Sequence, residues 1–68
     1  MINQTVKDFL KGTRNNYIIS ISRGTNENIV FEGTYAELKK RKDLLCEIVI
    51  SWDAVPMADG TTEIGIMI

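Results

Sequence analysis

The stretch NIVFEGTYAELKKRK, residues 28–42, decides the fold because it carries a strand directly into a helix. Ile29 and Phe31 alternate with Val30 and Glu32, which is the two-residue period of a strand, and we place Ile29 and Phe31 on its inward face. Gly33 ends that strand. A strand followed at once by a helix means that the chain crosses one face of a sheet at this point.

The helix signal is a capping box. Thr34 and Glu37 have the Thr-x-x-Glu spacing in which each side chain accepts a hydrogen bond from the other residue's backbone N–H. We predict a helix from about Tyr35 to Arg41, with Tyr35 and Leu38 facing the sheet.

Before this stretch, YIISISR predicts a strand that pairs with the one at Ile29 to form a hairpin. Its inward side chains are Tyr17, Ile19 and Ile21. Placing Ile21 opposite Ile29 leaves a three-residue loop, Gly24-Thr25-Asn26. That loop length is common in hairpins, and Asn tolerates the left-handed conformation that such a loop requires.

A first helix precedes the hairpin, in TVKDFLKG. Thr5 suits the N-cap, Gly12 suits the C-terminal stop, and Val6, Phe9 and Leu10 share one face.

Two further strands are predicted after the second helix. LLCEIVISW, residues 44–52, has the inward set Cys46, Ile48, Ile50 and Trp52; TTEIGIMI, residues 61–68, has the inward set Ile64, Ile66 and Ile68.

The connection between these strands determines which side chains share a face. A two-residue turn at Asp59-Gly60 would pair Asp53 with Ile66 and mismatch the faces. Pairing Trp52 with Ile66 requires an odd loop or a bulge. Because Pro56 cannot donate to a central ladder, we expect a bulge or wide loop near residues 54–56.

These elements give the order αββαββ in one small α+β domain, residues 1–68. The expected sheet has four strands in the order 2-1-3-4, antiparallel throughout, with two short helices on one face.

Composition limits the functions that are physically sensible. Of the 68 residues, 44% are apolar and 25% charged, the net charge is −1, and there are one Cys and no His. These values are typical of a globular chain and argue against disorder. The single Cys forms no internal disulfide, and no signal core or membrane-length apolar run is present. We therefore expect a cytoplasmic protein that does not enter a membrane.

Catalytic signals are missing from the sequence. Without His, the commonest general base and metal ligand are absent. Cys46 is interpreted as a core residue, and Asp53 and Asp59 as a loop start and an Asp-Gly turn, since two carboxylates alone hold a metal ion poorly. The glycines follow no nucleotide-binding spacing. We expect no enzyme activity, no catalytic residues, no metal and no cofactor.

The basic run at residues 39–42 leaves two interpretations open. Lys and Arg in the last turn of a helix complement its macrodipole. Alternatively, the run contacts phosphate or an acidic protein surface. The remaining chain carries 4 − 9 = −5 charges, and no aromatic side chain is expected on the open sheet face, so nucleic acid is the less favoured partner.

The uncovered sheet face is the larger candidate contact surface, because its predicted residues mix apolar and polar side chains. A protein partner could occupy it, and a homodimer could form through this face or through the apolar edge strand that ends in IGIMI. The candidate partner-binding residues are Lys39, Lys40, Arg41, Lys42, Ile18, Val30, Val49 and Met67.

The succession TVKDFLK, YIISISR, IVFEGTYAEL and EIVISW resembles small, mostly uncharacterised proteins of phages and prophages of Gram-positive bacteria. Such proteins open with a short Thr-Val-x-Asp-Phe/Leu-Leu helix. The resemblance implies a phage accessory protein that binds a host protein in the bacterial cytoplasm, for example an inhibitor of a defence nuclease such as a CRISPR nuclease. A nucleic-acid-binding module that uses residues 39–42 and a homo-oligomeric structural phage protein are the alternatives.

Overall fold

Seven short elements alternate along the chain in the computed structural model, which describes residues 4–25 and 27–68. They are α1 Val6–Phe9, β1 Ile18–Ser22, β2 Ile29–Thr34, α2 Tyr35–Leu38, α3 Lys42–Leu45, β3 Ser51–Pro56 and β4 Thr62–Met67. The predicted α+β class with a four-stranded sheet is therefore confirmed.

The sheet order is β2-β1-β4-β3, and β4 runs parallel to β1. The predicted order 2-1-3-4 and the fully antiparallel sheet are both wrong. The sequence contains a reason: β3 carries Asp53 and Pro56, and a charge and a proline both suit an edge strand. β4 has Glu63 as its one charged residue, and it takes the interior position between β1 and β3.

One face of the sheet and the three helices enclose the core. Ile21 of β1 pairs with Ile66 of β4, and both side chains are buried. The predicted inward positions of these two residues are confirmed, as are those of Ile19 and Ile68. The core comprises Val6, Leu10, Ile19, Ile21, Tyr35, Leu38, Leu44, Ile66 and Ile68.

Both predicted helix starts are confirmed by their caps. Thr5 Oγ1 accepts a hydrogen bond from the Asp8 N–H at 3.2 Å, and Thr34 and Glu37 form the complete capping box. The predicted helix over residues 35–41 is too long, however, since α2 ends at Leu38. The chain turns at Arg41 and starts α3, and this turn buries Leu44 in the same core as Leu38.

The predicted third strand over residues 44–52 is wrong in its bounds and in the burial of its inward set, although Trp52 lies opposite Ile66 on the helical side of the sheet. Leu44 and Leu45 are helical, and Cys46, predicted to lie in the core, is exposed. Ile48, Ile50 and Trp52 are also exposed rather than buried. Trp52 is exposed because β3 is an edge strand with β4 as its one neighbour, whereas Cys46, Ile48 and Ile50 precede β3.

The first hairpin contains an irregularity that the sequence pattern does not reveal. Ile21 pairs with Phe31 rather than Ile29, and the register shifts between Ile21 and Ser22. The shift places Ile29 opposite Ser22, on the open face, where its side chain is half exposed, so its predicted inward position is wrong. Asn26 of the predicted three-residue loop lies outside the described residues.

The second hairpin has an odd loop, as the pairing of Trp52 with Ile66 requires. The Met57 N–H donates to the Thr61 carbonyl at 2.8 Å, leaving the three residues 58–60 in the loop, and Gly60 takes φ +90°. This is a common hairpin loop with glycine at the left-handed position. The pairing of β3 with β4 is regular from Ser51 to Pro56, so the bulge expected near residues 54–56 is absent from this ladder.

The Met57–Thr61 hydrogen bond also determines which way the β3 backbone groups point. Along an antiparallel pair, alternate residues direct both their N–H and C=O groups to the same neighbour. Asp53 and Val55 therefore face β4, whereas Trp52 and Ala54 direct their backbone groups away from the sheet. Pro56 lies on this outward set, where its missing N–H breaks no ladder bond.

This alternation predicts opposite outcomes for two neighbouring proline substitutions. Ala54→Pro should cost less than about 1 kcal/mol in the free energy of unfolding, because the N–H that it removes points to solvent. Val55→Pro should cost about 3 kcal/mol or more, because it removes a bond to β4. Urea unfolding of both variants measures the difference, and equal losses would show that the assigned alternation is wrong.

Candidate functional site

The edge strand β3 is exposed along its whole length, on both faces of the sheet. Its apolar side chains are open to solvent to an unusual degree: Ile50, just before the strand, is 70% exposed, Trp52 58% and Val55 52%. Single exposed apolar residues are normal on a protein surface, but several together mark an interaction site. We refer to residues 50–55 as the β3 surface.

On the helical side, Trp52 leans against the first helix. Its ring centroid lies 5.1 Å from that of Phe9, with the planes inclined at 53°. Gln4, Val49 and Ile50 complete a notch of about 190 Å³ beside this pair. The indole is thus held in place on one side and open on the other, which is the arrangement of an aromatic anchor at an interface.

On the opposite, open face, the sheet forms a shallow groove of about 420 Å³. Small residues of the inner strands, Ser20, Ser22 and Gly65, contribute to it, and Asp53 and Glu63 bring carboxylates. No Lys or Arg lines this groove in the part of the chain that the structure describes. The groove therefore combines space for a side chain with net negative charge.

Gly65 makes room for the Asp53 carboxylate. The two residues are paired across β3 and β4, and a Cβ atom built on Gly65 would lie 2.6 Å from Asp53 Oδ1. A side chain at position 65 would therefore displace this carboxylate. The glycine allows Asp53, on the edge strand, to extend across the groove toward the middle of the sheet.

The predicted basic candidates run from the C-cap of α2 to the first residue of α3. Lys39 donates to Asn15 Oδ1 at 2.6 Å, and its Nζ lies 4.8 Å from the centroid of the Tyr35 ring. Arg41 forms two hydrogen bonds of 3.2 Å with Asp43. These bonds lower the pKa of Asp43 and raise that of Arg41.

Lys40 lies in the turn after α2, and Lys42 is the first residue of α3. Within residues 4–25 and 27–68, neither side chain forms a hydrogen bond or an ion pair. The run follows the last turn of α2 rather than lying within it, with Lys39 at the C-cap. Lys39 and Arg41 bind groups of the chain itself.

The predicted apolar candidates are dispersed. Ile18 and Met67 lie on the open face, Met67 in the groove and Ile18 at the start of β1. Val30 and Val49 were predicted to lie on the open face, but both pack against the core, and Val49 also lines the notch. Met67 and Val49 thus border the two cavities that flank β3.

Sequence reasoning missed the most exposed large apolar residues of the described ranges, Ile50 and Trp52, because alternation within a supposed interior strand assigned them to the core. The signal that identifies them is the pair Asp53 and Pro56. Both residues suit an edge strand, and an edge strand leaves its apolar neighbours open to solvent.

The carboxylate of Asp59 has a local structural role. Asp59 accepts hydrogen bonds from the Thr61 hydroxyl at 2.6 Å and the Thr61 N–H at 3.0 Å, and these bonds lower its pKa and hold the hairpin loop. Its expected role in an Asp-Gly turn is confirmed, whereas Asp53 lies within β3 rather than at a loop start. The described ranges contain no group of three or more Cys, Asp or Glu residues that could hold a metal ion.

None of the described helices is long and apolar enough to cross a membrane. Comparison with known proteins gives no relative: no family model, no curated protein and no solved structure matches the chain.

The exposure of the β3 surface predicts that its large apolar residues contribute little to stability. Ile50→Ser should change the free energy of unfolding by no more than about 0.5 kcal/mol, as expected for a surface position. Trp52→Ser should cost about 1 kcal/mol through the lost contact with Phe9. Ile66→Ala, a truncation in the core, should cost about 2–5 kcal/mol.

Urea unfolding of the three variants provides the comparison. If Ile50→Ser or Trp52→Ser destabilised the protein as much as Ile66→Ala, the β3 surface would be part of the folding core, and its exposure would need no functional explanation.

Proposed function

We propose that this protein acts without catalysis, by binding another protein through the β3 surface. One observation carries the proposal: an edge strand is exposed on both faces and presents Ile50, Trp52 and Val55 beside outward backbone groups. Proteins normally protect such edges, because an open edge pairs with other chains. β3 carries Asp53 and Pro56, yet it keeps these apolar side chains exposed, and that exposure supports a role in recognition.

Side-chain chemistry favours a protein partner over nucleic acid. Trp52 offers a large rigid contact area, and tryptophan is enriched among the residues that dominate binding energy at interfaces. The carboxylates of Asp53 and Glu63 on the adjoining groove would repel phosphate. The β3 surface is therefore suited to a polypeptide and poorly suited to DNA or RNA.

The context that we propose for the partner comes from the resemblance to phage and prophage proteins. On that basis the partner is a host protein in the bacterial cytoplasm. The most specific version of this proposal is a defence nuclease such as a CRISPR nuclease. Occupation of a surface on such a protein requires no cofactor and no catalytic group.

The alternative function, nucleic-acid binding through residues 39–42, has fewer free cations available than the sequence suggests. Lys39 and Arg41 are engaged with Asn15 and Asp43, so Lys40 and Lys42 remain as the candidates for a phosphate contact. A second alternative, a homo-oligomer through β3, uses the same surface and is distinguished by mass.

Partner capture from a lysate of a Gram-positive bacterium tests the proposal. We expect the wild-type protein to retain a stoichiometric protein partner and the Ile50→Ser/Trp52→Ser double variant to lose at least about 90% of it, since removal of a hot-spot anchor costs 2 kcal/mol or more. Two controls should retain it: Ile48→Ser, which removes an exposed apolar side chain outside the β3 surface and outside both cavities, and Lys40→Ser/Lys42→Ser.

Other outcomes point to the alternatives. Loss of binding only in Lys40→Ser/Lys42→Ser, with nucleic acid in the retained fraction, would replace the proposal by the nucleic-acid module. A dimer mass in light scattering that Trp52→Ser abolishes, with no partner retained, would replace it by a homo-oligomer.

A further inference from the structure

We propose that the partner contributes an extended segment that adds to the sheet beside β3, with a Lys or Arg side chain over Asp53 and an apolar side chain against Trp52. This inference rests on the proposed function and specifies the chemistry of the partner. Three features of the structure support it: the outward backbone groups of β3, the difference between the two faces of the sheet, and the negative charge of the groove.

The backbone of β3 provides the hydrogen bonds for such an addition. Trp52 and Ala54 each direct an N–H and a C=O away from β4 and together offer two donors and two acceptors in a row. Pro56 ends the row of donors, so the docked segment is centred on Trp52 and Ala54. Addition of a strand at an open edge is an established mode of peptide recognition.

The faces of β3 determine the side-chain pattern of the partner. Trp52 projects toward the notch, where its ring packs on Phe9, and Asp53 projects toward the groove on the other face. Successive residues of an added strand would alternate between the same two faces. The segment should therefore alternate apolar residues, which reach the notch, with residues that reach the groove.

The charge of the groove determines which partner side chains can bind in it. The Asp53 carboxylate lies over Gly65, Glu63 lies along the same inner strand, and the residues of the described ranges that line the groove include no cation. A Lys or Arg at this position would meet two carboxylates, whereas an Asp or Glu would be repelled by them.

The same charges disfavour a second copy of this chain as the occupant. Pairing of β3 with β3 would bring a second Asp53 and a second Glu63 to the same continuous face. Like charges at close cross-strand positions are destabilising. A foreign segment that carries a cation completes the edge without that repulsion.

Two blocked eight-residue peptides test the inference directly: one alternates lysine with valine, and the other has glutamate in place of lysine. Added to the ¹⁵N-labelled full chain at low salt, the lysine peptide should shift the backbone amide resonances of Trp52 and Ala54. It should bind at least about tenfold more tightly than the glutamate peptide, and this ratio should fall as salt is added.

Matched variants locate the source of the preference. Asp53→Asn should reduce the preference for lysine to less than about threefold, since the nearest charge is lost. Glu32→Gln makes the same change of charge on the opposite edge strand and should leave the preference unchanged. Equal binding of the two peptides, or resonance shifts confined to other strands, would overturn the inference.

Partner capture separates this inference from the proposed function. If Ile50→Ser/Trp52→Ser loses the host protein while Asp53→Asn retains it fully, recognition through the β3 surface stands and the cationic segment is wrong. If none of these variants affects capture, both are wrong. A concentration-dependent dimer whose interface includes β3 would also overturn the inference, since it would identify a second copy as the occupant.

Discussion

Parallel pairing of β1 with β4 is the constraint on which the rest of the structure depends. It places Ile21 beside Ile66 and Ile19 beside Ile64, and the three short helices cover these side chains. Each helix is a single turn of four residues, and isolated helices of that length are unstable in water. The helices therefore persist because Val6, Leu38 and Leu44 are buried against this pair of strands.

The exposure of β3 follows from the same pairing. Once β4 occupies the place beside β1, β3 has one neighbour, and its outer side faces solvent. The core is complete without it, since Ile50 and Trp52 lie outside the buried set. Their large apolar surface is thus free for contact with another molecule, and the outward N–H and C=O groups of Trp52 and Ala54 add directional hydrogen bonding.

Local features were predictable from the sequence, whereas long-range pairing was not. The caps at Thr5 and Thr34 and the inward positions of Ile19, Ile21, Ile66 and Ile68 depend on neighbours in sequence, and all are confirmed. Strand order depends on which apolar strand best fills the centre. Alternation in residues 46–52 is compatible with an interior strand and with an edge strand, and only Asp53 and Pro56 favour the edge. The register shift beside Ser22 has no signal in the local pattern.

Amide hydrogen exchange across β3 tests the central claim most directly, because it reports which backbone N–H groups are bonded within the sheet. The structure predicts slow exchange for Asp53 and Val55, which face β4, and exchange near the rate of an unstructured chain for Trp52 and Ala54. Similar protection of all four amides in the free monomer would show that β3 is an interior strand and would contradict the open edge on which the proposed function rests.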